Sequence, residues 1–290
     1  MPFCVPVKQE EAILITSAAN QQMKNLSALM KKSKERKKQK LFVVEGPKMC
    51  FEAPKDWVWH IYVAESFWKN EQTKMQLIQY LDKNGLMFEE VCDTVADSVF
   101  HSVSDTQTPQ GIMAVLHLPK YELADLMNGE NTHLLILESI QDPGNLGTMV
   151  RTGEGAGISG ILMNQTTVDL FNPKTVRSTM GSLYRVPFYV VEDLGETIRN
   201  LQSKGVRVFA AHLKGTKSYD EPDYRTATAF MIGNEGNGLS DEIADLADCY
   251  IRIPMEGQVE SLNAAISATI LMYECNRQRR SRNENLVQNI

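Results

Sequence analysis

The chain has 290 residues, 43% hydrophobic and 23% charged; this excludes a disordered or collagen-like chain, and at roughly 100–200 residues per domain the length favours two domains. The net charge of −6 conceals a local excess, because residues 31–40 hold Lys31, Lys32, Lys34, Arg36, Lys37, Lys38 and Lys40 against Glu35 alone: +6 in ten residues, leaving −12 on the other 280. Such a cluster inside an acidic protein reads as an anchor for a polyanion or as a solvated basic loop.

In chain order, residues 1–19 form an N-terminal extension. Its apolar patch, Ala12 to Ile15, follows Glu10 and Glu11 and lacks the basic-then-apolar layout of a secretion signal. Nothing approaches the roughly 18 consecutive apolar residues of a membrane span; a cytoplasmic protein is expected from the odd number and wide spacing of its cysteines. Residues 20–117 alternate strand-like runs, LFVVE (41–45), WVWHIYVA (57–64) and GIMAVLH (111–117), with a helical spacing over Glu71 to Lys83. This pattern predicts a small α/β domain. Residues 118–131 break it with Pro119 and the turn pair Asn128-Gly129 and read as a linker. From 132 to 280 six runs are apolar on both faces: LLILE (134–138), GILM (160–163), VPFYVV (186–191), VRVFAA (206–211), ATAFMIG (227–233) and YIRI (250–253). Separated by helix-like segments, they predict an α/β domain with a buried, mainly parallel sheet. Residues 281–290 are left as a tail.

The five cysteines, at 4, 50, 92, 249 and 275, form no C-x-x-C pair. No metal site is expected, and the thiols read as reduced and mostly structural. A second basic cluster comprises Arg277, Arg279, Arg280 and Arg282. Gly155, Gly157 and Gly160 spell the G-x-G-x-x-G of a dinucleotide site, but they follow a helix-like segment and precede a strand, the reverse of what that site needs. No acid lies about twenty residues further on, so a glycine-rich helix end is expected and NAD is not.

Ligands of parallel sheets bind beyond the carboxyl ends of the strands. Three loops there carry polar side chains. The first, Asp142-Pro143-Gly144-Asn145, places Asn145 where a helix would be capped, with Arg151 six residues on; both are expected to face the sheet's carboxyl edge. The second, Gly233-Asn234-Glu235-Gly236-Asn237-Gly238-Leu239-Ser240, sets one carboxylate among glycines, with Ser240 or Asp241 as the cap of a following helix. The third runs from Ile253-Pro254-Met255 to Ser261-Leu262-Asn263 at the head of an apolar helix, expected to be buried all round.

Together N-x-x-x-x-x-R, G-N-E-G-x-G-L-S and I-P-M-x-G-x-V-x-S-L-N resemble the SpoU-type branch of the SPOUT methyltransferases, RNA ribose 2′-O-methyltransferases that include TrmH-like and RlmB-like enzymes. The likeness spans roughly residues 132–280. Residues 20–110 also resemble that group's accessory domain, a small ribosomal-protein-like α/β module that holds RNA; residues 1–19 resemble nothing usable. The resemblance implies a trefoil-knotted catalytic domain, a homodimer, and S-adenosylmethionine held by Gly233, Ile253 and Leu262, mostly through backbone groups.

It further implies that Arg151, Asn145, Glu235, Ser261 and Asn263 form the catalytic site for attack of a ribose 2′-hydroxyl on the donor methyl. An arginine keeps its proton in proteins, so Arg151 would bind the adjacent phosphate and stabilise the developing alkoxide rather than act as base. Asn145 would orient Arg151 or the ribose, and Glu235 would hold the arginine or a ligand amine. Lys34, Lys37, Lys38 and Lys40 are the candidate RNA contacts of the accessory domain. Arg177 and Ser178 match a further family stretch, with Arg177 as an RNA contact or a structural partner for an acid. The accessory domain points to ribosomal rather than transfer RNA. The competing reading, a non-catalytic RNA-binding or ribosome-assembly protein that retains the fold, would not need all five catalytic candidates.

Overall fold

The computed structural model describes residues 14–287; Cys4, most of the expected N-terminal extension and the last three residues of the expected tail lie outside the described residues. Two compact units form, one ending at Leu118 and the other beginning at Pro119.

The first unit is built on a five-stranded sheet of order β1-β4-β3-β5-β2. Its strands are β1 (Leu14–Ile15), β2 (Leu41–Glu45), β3 (Val58–Ala64), β4 (Cys92–Val95) and β5 (Ile112–His117). β5 runs antiparallel to both neighbours, and the other pairs are parallel. Leu41 to Val44 and Ile112 to Leu116 are buried throughout, as continuous apolar runs require when both sheet faces are covered. The lysine cluster spans the end of helix Gln21–Lys31 and the helix Ser33–Gln39, and its six lysines are exposed. Arg36 is not part of that surface. It is 3% exposed, and its Nη1 donates to the carbonyls of Leu29 (2.6 Å) and Met30 (3.1 Å), last-turn acceptors that the helix itself leaves open.

The second unit carries a seven-stranded sheet whose neighbouring strands are all parallel, in the order β10-β12-β9-β11-β6-β7-β8. They are β6 (His133–Leu137), β7 (Gly160–Asn164), β8 (Phe188–Val191), β9 (Arg207–Ala211), β10 (Lys217–Ser218), β11 (Thr228–Ile232) and β12 (Cys249–Arg252). The expected linker is not a free connector: residues 123–126 and 129–131 form 3₁₀ turns, and Leu126 is fully buried against Gly160, where any side chain would collide with it. Gly155, Gly157 and Gly160 end the helix Pro143–Ala156 and begin β7, with Gly157 as its left-handed cap. Cys50, Cys92, Cys249 and Cys275 are free thiols.

The helix Ala264–Val287 departs from the expectation of burial all round. Leu271 and Met272 are fully buried, whereas Ile266 and Tyr273 are 49% and 45% exposed. One face packs on Pro143–Ala156, through Thr269 Oγ1 to Thr152 Oγ1 and Asn276 Nδ2 to the Ala156 carbonyl, and leaves another open. Near its end Arg279 donates to four carbonyls, those of Tyr224, Asn131, Thr132 and Thr226, and Arg277 pairs with Glu274.

His133, at the start of β6, is buried edge-on against Phe230, and its Nε2 has no hydrogen-bond partner among the described residues. Burial, with a smaller contribution from Arg279, pushes the imidazole down to about 3. The unfolded chain takes up a proton near pH 6.5 that the folded one refuses, so stability is present above that value and is lost as pH falls towards 3, by about 1.4 kcal/mol per unit. Urea unfolding at pH 7.5 and pH 5 should therefore show an acid destabilisation smaller by about 2 kcal/mol in His133→Leu than in the wild type. Equal pH dependence in both proteins would refute this role.

Candidate active site

The strand order reverses between β6 and β11: from β6 the chain proceeds outward through β7 and β8, then returns to build β9, β11 and β12 on the other side. Loops leaving the carboxyl ends of these two neighbours diverge and leave a crevice. Two carboxylates clasp the loops across it. Glu138, following β6, accepts from the Ser240 N–H (2.8 Å) and hydroxyl (2.7 Å). Glu235, following β11, accepts from the N–H groups of Gln141 and Asp142 and from Asn145 Nδ2, all at 3.0 Å.

The network continues into the third loop. Asn263 Nδ2 donates to Asn145 Oδ1 at 2.9 Å, while Asn263 Oδ1 accepts from the Ala265 and Ile266 N–H groups and so caps the helix Ala264–Val287. Asn145 and Asn263 each retain a further amide hydrogen. Burial acts to raise the Glu235 carboxyl, but donation by Asn145, Gln141 and Asp142 outweighs it and holds the group below the usual carboxylate range. Glu235 is an anionic clamp in this arrangement, and its partner is Asn145 rather than an arginine.

The cap of helix Pro143–Ala156 is Asp142, not Asn145. The Asp142 side chain accepts from the Asn145 N–H at 2.8 Å, with Pro143 in the first helical position, so Asn145 lies inside the first turn and its side chain is free to meet Glu235. Ser240 caps the short helix Asp241–Ala244. Beside the clamp lies a cleft of about 270 Å³. Gly233, Gly236 and Gly238 expose backbone to it, Ile253 and Leu262 supply apolar walls, and Glu235, Glu260 and Ser261 contribute polar groups. Gly233 is required by a crossing of the chain as well: a Cβ there would lie 2.1 Å from Gly238 C and Leu239 N, where the loop folds back upon it.

Seven of the expected residues thus meet: Glu235, Ser261 and Leu262 line both of two adjoining clefts, Gly233 and Ile253 line the first, and Asn145 and Asn263 line the second. Arg151 does not join them. It lies two turns into its helix, exposed, without a hydrogen-bond or ion-pair partner among the described residues, and lines neither cleft. Arg177 and Ser178 lie on helix Pro173–Thr179, which packs so closely on Pro143–Ala156 that a Cβ on Gly147 would lie 2.4 Å from that of Ser178. Lys34, Lys37, Lys38 and Lys40 belong to the first unit.

Sequence reading missed Glu138, Ser139, Gln141 and Asn234. Ser139 has a positive φ of 58°, rare for a residue with a side chain. Its carbonyl accepts from Asn234 Nδ2 (2.9 Å) and Gln141 Nε2 (3.0 Å), and its N–H donates to Asn164 Oδ1 (2.9 Å). The one available signal was a polar run, Glu138-Ser139, directly after a strand.

Comparison with known proteins agrees with this geometry. Residues 132–273 match the model of the SpoU rRNA Methylase family, and residues 20–114 match that of the MRM3-like substrate binding domain. The chain is 34% identical over 259 residues to the 23S rRNA (guanosine(2553)-2'-O)-methyltransferase RlmP of Bacillus subtilis, covering 89% of this chain and 97% of the relative. An AdoMet-bound rRNA methyltransferase from Sinorhizobium meliloti superimposes with a TM-score of 0.80 at 30% identity, over 91% of this chain and 97% of that one. The SpoU methyltransferase AviRb from Streptomyces viridochromogenes, at 24% identity, TM-score 0.79 and coverage of 90% and 98%, shares the fold. A sheet with its polar loops clasped at the switch point, and a relative matched over nearly its whole length, place this chain in the SpoU rRNA methylase family.

Proposed function

We propose that this protein methylates a ribose 2′-hydroxyl of ribosomal RNA with S-adenosylmethionine as donor. The observation that carries the reading is the Glu235–Asn145–Asn263 network beside a cleft whose walls suit that donor. Main-chain groups at Gly233, Gly236 and Gly238 can read a purine edge, Ile253 and Leu262 can cover its faces, and the carboxylates of Glu235 and Glu260 favour a cationic ligand. When bound, the donor supplies an electrophilic methyl group. The chain's own residues must hold the hydroxyl in line, and two free amide hydrogens are fixed for that purpose, that of Asn145 by Glu235 and that of Asn263 by Asn145. Arg151 stays cationic and binds the neighbouring phosphate and the developing alkoxide. The loops folded back at Gly233 form part of a trefoil knot in this reading.

The working form is a homodimer. Ile266 and Tyr273 give the helix Ala264–Val287 an exposed apolar strip, and Tyr273 lies against Gly155, one turn beyond Arg151 on the neighbouring helix. A second copy covering that strip sets Arg151 at the seam between subunits. With four free thiols among the described residues and a ribosomal substrate, the site of action is the cytoplasm. The first unit holds the RNA, through the exposed lysines between Lys31 and Lys40.

Incubating the protein with labelled S-adenosylmethionine and unmodified ribosomal RNA should place label on a ribose 2′-oxygen; the guanosine named for the Bacillus relative is the first position to map. Label on a base, or none on any RNA, would overturn the reading. Arg151→Ala should cut turnover by about 10²–10³-fold while calorimetric titration shows donor binding nearly intact, and Arg151→Lys should recover only part of it. Wild-type turnover in Arg151→Ala would exclude the role given to that arginine.

The lysine cluster makes a separate prediction. Each phosphate contact steepens the fall of affinity with salt by roughly 0.7–0.9 on a log–log scale, so changing Lys34, Lys37, Lys38 and Lys40 together to Gln should weaken RNA binding and flatten the slope by about two to four units. Turnover at saturating RNA should hardly change. An unchanged slope would reduce the cluster to a solvated surface.

A further inference from the structure

Trp59 lies within β3, yet 44% of its surface is open to solvent. The cause is a bulge. Val58 pairs with Leu116 and His60 with Val115, so residue 59 is an extra residue with no partner on β5. In a regular strand residues 59 and 60 would point to opposite faces; here the Trp59 and His60 rings lie 5.7 Å apart and the His60 and Tyr62 rings 4.8 Å apart, which puts all three on one face. Bulges re-aim side chains in this way. The large ring is thereby taken out of the core and displayed.

The same face carries the route to the lysine cluster. His60 Nε2 meets Asp93 Oδ2 at 3.0 Å, and that oxygen also accepts from Gln22 Nε2 at 2.9 Å. Three residues along the same helix, Asn25 accepts from Gln39 Nε2 at 2.8 Å, and Gln39 stands between Lys38 and Lys40. Across the sheet, Phe42, Leu116 and Val58 lie in one row, so the start of β2 just after Lys40 is about two strand spacings, roughly 10 Å, from the start of β3. An exposed π-surface therefore stands within reach of exposed cations that flank the same end of the sheet. Cations that track a backbone and an aromatic that receives a base are the two components of single-stranded nucleic-acid recognition.

We propose that Trp59 is a stacking platform for an unpaired base of the RNA, with Lys38 and Lys40 neutralising the adjoining phosphates; this rests on the RNA-methylation reading given above. It assigns the first unit a preference for RNA with an unstacked nucleotide over a continuous duplex, because a paired base offers no free face.

The test is binding of fluorescein-labelled oligoadenylate of about ten nucleotides, against a fully paired RNA duplex of equal length, by the full chain and by Trp59→Ala and Trp59→Phe. Trp59→Ala should weaken single-strand binding by about 5- to 150-fold, leave duplex binding and the salt slope unchanged, and melt within the range of the wild type; Trp59→Phe should retain most of the affinity. Wild-type tryptophan emission should fall on addition of oligoadenylate, and that of Trp59→Phe should fall less. Single-strand affinity unchanged in Trp59→Ala, or equal losses on both probes, overturns the stacking role while the methylation reading stands. A wild-type protein that binds neither probe overturns the RNA reading itself and this proposal with it.

Discussion

The site depends on an exchange of carboxylates between two neighbouring loops. Glu138, from the loop after β6, holds the N–H and hydroxyl of Ser240 in the loop after β11, and Glu235 returns the interaction to Gln141, Asp142 and Asn145. Charge-assisted bonds of this kind are about twice as strong as neutral ones. They are also what fixes two glycine-rich loops that would otherwise be free to move, since Gly233, Gly236 and Gly238 contribute no packing of their own. Losing either carboxylate would therefore unpin backbone before it removed any reacting group. The clasp is possible because β6 and β11 are parallel neighbours in register from Thr228 and His133 to Ile232 and Leu137, so their loops leave the sheet at the same height.

Much of this was legible in the sequence, for definite reasons. Strands appear as unbroken apolar runs, and six such runs correspond to β6, β7, β8, β9, β11 and β12, with ends shifted by up to two residues; burial on both faces holds for β6 and β11 but not for β8, where Val190 is 47% exposed, nor for β12, where Ile251 alone is buried. β1 and β10 are two residues each, too short for any pattern, and β4 carries Asp93 and Thr94, which hide its character. The polar side chains of the three loops stood out because polar residues at strand ends have few structural duties, but their bonding did not. Asn145 looked like a cap because caps and amide donors share residue types; only the backbone shows that Asp142 fills that position. The apolar composition of the helix from Ala264 predicts burial all round, yet burial also needs a neighbour on each side, and Ile266 and Tyr273 stay about half exposed among the described residues, with Tyr273 touching only the edge of the neighbouring helix at Gly155.

The cation clusters show how sequence overstates a binding surface and chemistry corrects it. Arg36 and Arg279 belong to the two basic runs, yet both are consumed by main-chain carbonyls: Arg36 closes the end of helix Gln21–Lys31, and Arg279 ties residues 131–132 to residues 224–226. A planar guanidinium with five donors can satisfy several acceptors at once and is weakly enough hydrated to be buried, whereas an ammonium on a flexible stem keeps its water. Arg36 and Arg279 have become internal struts, while Arg277 pairs with Glu274 at the surface and the lysines between Lys31 and Lys40 are all exposed. The local positive charge of an otherwise acidic chain therefore sits on lysines that make few internal contacts, while two arginines that a charge count would group with the basic runs, Arg36 and Arg279, hold backbone segments together.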